Sequence, residues 1–426
     1  MTVATRLEQK EAAAFPVHGD HASFFEASQR GNVGVACIAY SSFSKSLMGS
    51  EGMFWFNKTT SRVCKSLTLS AALVAATACV STASAAPELE FIGEVDFPTG
   101  YAFKGTTVGG LSGIDYDRRH KVFYAISDDR SQINPARFYK LKIDLSDGML
   151  DDGDVTFSDV TPMLDESGQP FAINTVDPES IRYDRARNAL FWTSEGDANA
   201  LLPPFVREMK LDGTFVRELR TPQTYTPTAD QSSGIRNNLA FESLTFSPQL
   251  DRVITATENA LYQDGPAASF AEGTPSRILE FAVRSGAPLH EYVYVTDPVA
   301  DAPDPATAFA TNGLVDFVTL GERRLLTMER SFTTDKGNVI KLFIVKLWPA
   351  TDVRGFDSIE GHAVRPVGKT LVANLADFGI VADNVEGITF GPLLPDGKRS
   401  LILVSDNNFS TTQVTQFLAF RVKTGF

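Results

Sequence analysis

ESIRYDRARNALFWTSE, residues 179–195, reads as one alternating strand, a charged turn and a second apolar strand that closes on a hydroxyl residue and an acid. Period-two alternation on both sides of a polar turn is the mark of an antiparallel hairpin. The same text returns four more times: SGIDYD…VFYAISDD from Ser112, ESLTFS…VITATEN from Glu242, NGLVDF…LLTMER from Asn312 and EGITFG…LILVSDNN from Glu386. In such a hairpin the start of the first strand lies beside the end of the second. Glu179 is therefore expected next to Glu195, Glu242 next to Glu258, and Glu386 next to Asp406. Five such units around one axis would gather these acids at a single mouth.

Each hairpin is followed by two further strand-like runs, such as FVREMKLD from Phe205 and TFVRELR from Thr214, joined through Gly213. The third unit offers SRILEFAV and LHEYVYV, the fourth IKLFIVKL and KTLVANL, and the first ARFYKLKID with Gly148 beyond it. Hairpin plus hairpin makes a four-stranded antiparallel blade. The last unit has only three strands, ending in TQFLAFRV, before Phe426. Its fourth is predicted at the other terminus, where ELEFIGEVDFP (Glu88 to Pro98) resembles LHEYVYVTDP of the third unit. Closure of this kind removes open sheet edges. The fold class is thus all-β: a single closed β-propeller of five blades, or six if a long loop hides another unit. A β-sandwich would not explain the matching strand at the opposite terminus.

Upstream of this repeat the text changes. Lys58, Arg62 and Lys65 precede a short apolar run, Leu67 to Val80, and then Ala83-Ser84-Ala85. That order is the grammar of a secretory signal, and the run is short for a membrane span. We expect residues 1–52 to be a non-native or disordered extension, with translation starting at Met48 or Met53. Residues 53–85 are expected to be the signal and 86–426 the propeller domain, in a secreted or periplasmic protein. An uncleaved anchor is one alternative; a lipid on Cys79, after the loose lipobox Ala76-Thr77-Ala78, is another. Cys37, Cys64 and Cys79 all precede Ala86, so the domain has no disulfide, thiolate nucleophile or Cys-bound metal. The chain carries a formal charge of −13, which disfavours nucleic acid and anionic membrane and suits cations.

Several chemistries fall away on residue type. No G-x-S-x-G elbow occurs, because Gly110-Leu111-Ser112-Gly113 runs on into Ile114. His120, His290 and His362 are the domain's three His; they are scattered, so neither a Ser-His-Asp triad nor a His-bound zinc is supported. What remains is the acidic ring: Asp128, Asp129, Glu179, Glu195, Glu242, Glu258, Glu329, Glu386 and Asp406, with Asp177 and Asp383 nearby. Crowded carboxylates raise one another's pKa, and a hard cation relieves the repulsion. All-oxygen donors favour calcium, with magnesium second. Asn238 and other Asn of these loops, with Arg130, Arg236 and Arg330, are expected to hold substrate oxygens. Each acid also has a plainer reading, as a turn residue that satisfies local backbone N–H groups. Arg130 and Arg330 likewise could simply neutralise Asp129 and Glu329.

GGLSGIDYDRRHKVFYAISDDR (Gly109 to Arg130), DPESIRYD, NNLAFESLTFSP and VEGITFGP…LILVSDNNF together resemble the secreted phytase-like family described as having esterase-like activity of phytase. The resemblance runs from about Leu89 to Val422 and implies a β-propeller. It also implies hydrolysis of phosphate esters, phytate being the emblematic substrate, and kinship to calcium-dependent propeller phytases. The site residues come from hairpin geometry instead. Glu179, Glu242 and Glu386 are the expected catalytic acids, and Asp128, Glu195, Glu258 and Asp406 the expected calcium ligands. Arg130, Arg236, Arg330 and Asn238 are the expected substrate-binding set. The expected partner is a small phosphate ester or other small ligand, bound by a monomer with no membrane span. Two other classes stay open: a non-catalytic propeller that binds a ligand or partner, and a metal-dependent esterase- or lactonase-like propeller.

Overall fold

Val, Ile, Phe and Tyr at every second position favour the pleated surface of a strand, and the computed structural model folds nearly all such runs into sheet. It describes residues 88–424; the expected signal, Cys79 and the extension before it lie outside them. Five four-stranded antiparallel sheets form, each paired in order from the inside outward. Blade one comprises Leu111–Asp117, Val122–Ser127, Arg137–Ile143 and Val155–Pro162. Blade two comprises Pro178–Asp184, Ala189–Ser194, Phe205–Lys210 and the short Phe215–Glu218. Blade three comprises Phe241–Phe246, Arg252–Thr257, Pro275–Ala282 and Pro288–Val295. Blade four comprises Ala310–Gly321, Arg324–Thr333, Gly337–Lys346 and Gly368–Asn374. Blade five comprises Asn384–Leu393, Arg399–Asp406 and Val414–Thr424, completed by Glu88–Pro98. The propeller therefore has five blades, and helix among the described residues is limited to three short 3₁₀ turns. None of these is long and apolar enough to cross a membrane.

The closing strand pairs antiparallel with Val414–Thr424 from Glu88 to Pro98, as the sequence predicts. The outermost strand of blade one, Val155–Pro162, is one the sequence reading does not name. Its face is largely polar and exposed, so it carries little apolar signal.

Second strands such as VFYAIS and ALFWTS are buried on both faces, not half-buried. The reason is that each sheet packs against both neighbours. Five apolar clusters result, one at each blade–blade interface; Phe191 and Phe246, for example, join blades two and three edge to face. The first strands of the blades contact one another in a closed circuit and so form the wall of the axis.

One feature repeats in every inner strand. A β-bulge interrupts the first hairpin between Leu111 and Gly113, Pro178 and Ile181, Phe241 and Ser243, Leu314 and Asp316, and Val385 and Gly387. A bulge adds a residue to one strand and re-aims its side chain. The residues placed there include Ser112, Glu179, Glu242, Val315 and Glu386.

Candidate active site

The re-aimed glutamates and, with the exception of the fully buried Glu195, the acids at the ends of the second strands line one cavity of about 740 Å³ at the mouth of the axis. Its wall includes Asp128, Asp177, Glu179, Glu242, Glu258, Glu386 and Asp406, with Arg130, Arg330 and Asn238. The expected pairs come about through backbone bonds at the bulge: Glu195 N–H donates to the Asp177 carbonyl at 2.9 Å, and Glu258 N–H to Ala240 at 2.7 Å. In blade five Asn384 bridges the pair, donating to Glu386 at 3.0 Å and to Asp406 at 3.1 Å.

Two groups of three acids stand close enough to share an ion. Asp177, Glu179 and Glu195 present carboxylate oxygens within 4.8 Å of one another, as do Glu195, Glu242 and Glu258. Glu195 belongs to both. Its Oε1 accepts from Ala240 N–H at 2.7 Å, while its buried Oε2 has no partner. Such an oxygen, buried among four other acids, could be satisfied by a bound cation or by a proton shared with a neighbouring carboxyl group. Asp128 and Asp406, expected as ligands, stand outside both groups and line the other side of the well. Asp177, seen in the sequence only as a neighbour, belongs inside. The motif DPES signals this, since Asp177 and Glu179 are two apart.

Burial, followed by mutual repulsion, pushes Asp128, Glu179, Glu195 and Glu242 well above the usual carboxylate range. Burial also raises Asp177 to about 6, against the pull of Arg130. Asp406 is pushed up to about 8 by burial and by Glu386.

Two guanidinium groups face these acids. Arg130 Nη2 binds Asp177, and the same side chain reaches Asp197 and Asn238, each at 3.4 Å. Arg330 binds Asn384, Glu386 at 2.7 Å and Glu258 at 3.2 Å. In register, Arg330 lies one residue past Glu329↔Leu314, as Asp128 lies past Ser127↔Leu111 and Glu258 past Thr257↔Phe241. It is therefore blade four's member of the ring, a cation where the other blades have an acid.

Arg236 and Glu329 are not among the residues that line the well, whereas Asp129 lines it but is engaged in a local ion pair. The Arg236 guanidinium donates to the carbonyls of Ala260 at 3.1 Å and Gly265 at 2.6 Å and stacks on Tyr262. Glu329 faces the other side of its sheet and binds Tyr294 at 2.5 Å and Lys369 at 2.6 Å. Asp129 is buried on Arg137 at 2.7 Å and accepts from the backbone of Gln132, Ile133 and Asn134. None of His120, His290 and His362 lines the well.

Beneath the acids, Arg182 and Asp316 fill the axis. Arg182 Nη2 meets both Asp316 oxygens at 2.8 and 2.7 Å, and its Nη1 donates to the Ile114 carbonyl at 2.9 Å. Asp316 also accepts from Ile388 N–H at 2.9 Å and Leu244 N–H at 3.4 Å, so partners come from the inner strands of all five blades. Neither residue was legible as an axial pair, because nothing in ESIRYD or NGLVDF marks them as partners.

The described residues thus form a closed five-bladed β-propeller with a buried ion pair on its axis and a cavity lined largely by oxygen donors. Residues 106–409 match the sequence model of the phytase-like family described as "esterase-like activity of phytase", and the chain belongs to that family. No curated protein matches it. Among solved structures it is similar to one titled "Structure of Dos1 propeller", at 7% identity and a TM-score of 0.32, covering 74% of this chain and 69% of that one.

Proposed function

We propose that residues 86–426 form a secreted or periplasmic hydrolase of phosphate esters that works with a divalent cation, calcium by its donor set, in the axial well. Residues 53–85 serve as its signal, and residues 1–52 are not part of the working protein. The observation that carries this reading is Glu195, whose buried, unpartnered Oε2 sits where two triads of acids meet. Asp177, Glu179, Glu195, Glu242 and Glu258 are the residues that would hold the cation, and their all-oxygen set fits calcium or magnesium. When bound, such an ion supplies electrophilic polarisation of the phosphoryl oxygens.

The other groups act on the ester directly. Arg130 and Asn238, which touch at 3.4 Å, present donors to a non-bridging oxygen from one side of the well. Arg330 holds Glu258 and Glu386 in place and keeps a positive charge near the reacting group. Asp406, with its pKa pushed up to about 8, holds its proton at neutral pH and is the group suited to protonate the leaving oxygen.

Phosphate release by the full chain from an aryl phosphate, with calcium and then with excess chelator, tests the reading. Release is expected only with the cation, and Glu195→Gln should abolish it while leaving the thermal transition intact. Folded protein that binds calcium but releases no phosphate would instead be a ligand-binding propeller.

A further inference from the structure

The well is not uniformly acidic. Ring order runs one to five and back to one, so blades two and three, which carry the two acid triads, face blades four, five and one across the axis. On that far side the wall includes Phe309 and Phe332 from blade four, Phe409 from blade five and Ile133 from blade one. Phe309 is 66% exposed and Ile133 50%, and both line the cavity. Phe309 and Phe332 form a tilted pair with centroids 6.0 Å apart. Leu239 is the one apolar lining residue on the acidic side, and it is half-buried.

Both exposed side chains stand on pinned backbone. Asp129 accepts from Ile133 N–H at 3.1 Å and from both neighbouring N–H groups at 2.8 Å. The Phe309 carbonyl accepts the backbone N–H of Thr334 at 3.0 Å and its hydroxyl at 2.9 Å. Apolar groups held out into water in this way are prepaid binding surface, since little ordering remains for a ligand to impose.

Charge narrows the ligand further. Among the lining residues the only cations are Arg130 and Arg330, and both are already paired with carboxylates of the well. One anionic head can be held by a cation on the acid triads. No free positive charge is left to receive a second or third phosphate, and the remaining acids repel one.

We infer that the ligand of this well is a monoester with one anionic head and an aromatic or branched apolar arm, not a polyphosphorylated polyol. That it is a substrate rests on the hydrolase reading above; the selectivity itself does not.

Calorimetric titration of the full chain, with calcium present, compares phenyl phosphate, glycerol 3-phosphate and a sugar bisphosphate. Phenyl phosphate is expected to bind about tenfold tighter than glycerol 3-phosphate, as stacking on an aromatic pair suggests, and the bisphosphate more weakly than either. Phe309→Ala should shrink the preference to about twofold and leave glycerol 3-phosphate unchanged. Ile133→Ser, on blade one, should lower it partly. Equal affinity for the two monoesters, a tighter bisphosphate, or no binding of any of them overturns the inference. Phosphate release is read in the same samples: preference without release would sink the hydrolase reading and leave the selectivity standing.

Discussion

Gly313 shows how closely single residues are fitted to the well. A Cβ built there would stand 2.1 Å from Glu258 Oε1, and its φ is not in the left-handed region, so space alone requires glycine. Gly110 does the same for Asp128, whose Oδ1 would lie 1.9 Å from an added Cβ, with the further constraint of φ +63°. Gly313→Ala should therefore push Glu258 off the Glu195–Glu242 pair while disturbing little else. Calcium affinity is expected to fall about ten- to a hundredfold, the range found when a group that positions a ligand is lost, with the melting temperature lowered by only a few degrees. Titration calorimetry beside a thermal melt checks both, and unchanged affinity would remove Glu258 from the ligand set. At this scale the sequence was readable where the hairpins are regular: Glu179, Glu195, Glu242 and Glu258 follow from strand ends lying side by side. Arg330 was readable as a rim cation but not as a ring member. Aligning Asn312 with Glu179 sets the fourth bulge three residues early, since it falls at Val315. Because side chains alternate, the resulting one-residue slip at the second strand exchanges Glu329 and Arg330 between faces.

Between the inner strands, the Arg182–Asp316 pair does what no single hairpin can. Its hydrogen bonds reach strands of every blade, and both side chains are nearly inaccessible. Desolvating two charges is unfavourable, and removing one partner leaves the other buried without compensation. Arg182→Met should consequently destabilise the fold by about 3–5 kcal/mol, seen as a lower urea midpoint with an unchanged slope. The double variant Arg182→Met with Asp316→Leu is expected to recover most of that loss, because two apolar side chains carry no unpaired charge. A double variant as weak as the single one would mean that the bonds to Ile114, Ile388 and Leu244, not the buried charge, hold the axis together. Sequence patterning could not show this contact, since the two residues are far apart in the chain and an Arg in a strand normally points to water. The bulges were equally hidden: a single extra residue leaves the alternation of each strand intact on either side.

For the whole molecule, closure and charge set the conditions under which the propeller persists. The closing strand sends Leu89 into the core between blades four and five, and Ile92 and Val95 into the core between blades five and one. Each such burial contributes about 1.5–3 kcal/mol, and the strand adds a ladder of backbone bonds along Val414–Thr424. Since whole domains are stable by only about 5–15 kcal/mol, a chain beginning after Pro98 should fail to fold cooperatively, and a synthetic 88–98 peptide should restore a sharp melt. A truncated chain that melts as the intact one does would deny the closure its role. The acids set a second condition. Asp128, Glu179, Glu195, Glu242 and Asp406 all have folded pKa values above their unfolded ones, Asp406 at about 8. The folded state thus holds more protons than the unfolded chain, and stability must fall as pH rises. The stabilising effect of these protons is complete below about pH 4, the unfolded value of a carboxyl group. For Asp406 it is gone once pH passes its folded value of about 8. Without divalent cation the melting temperature should drop steadily from pH 5 to pH 8. Saturating calcium should remove most of the slope, because an ion among Asp177, Glu179, Glu195, Glu242 and Glu258 replaces the protons that those acids would otherwise keep. Melts across this range, with calcium and with chelator, separate the two states. Parallel curves would place the cation elsewhere, and a melting temperature that rises with pH in chelator would mean the acids are paired by something other than protons.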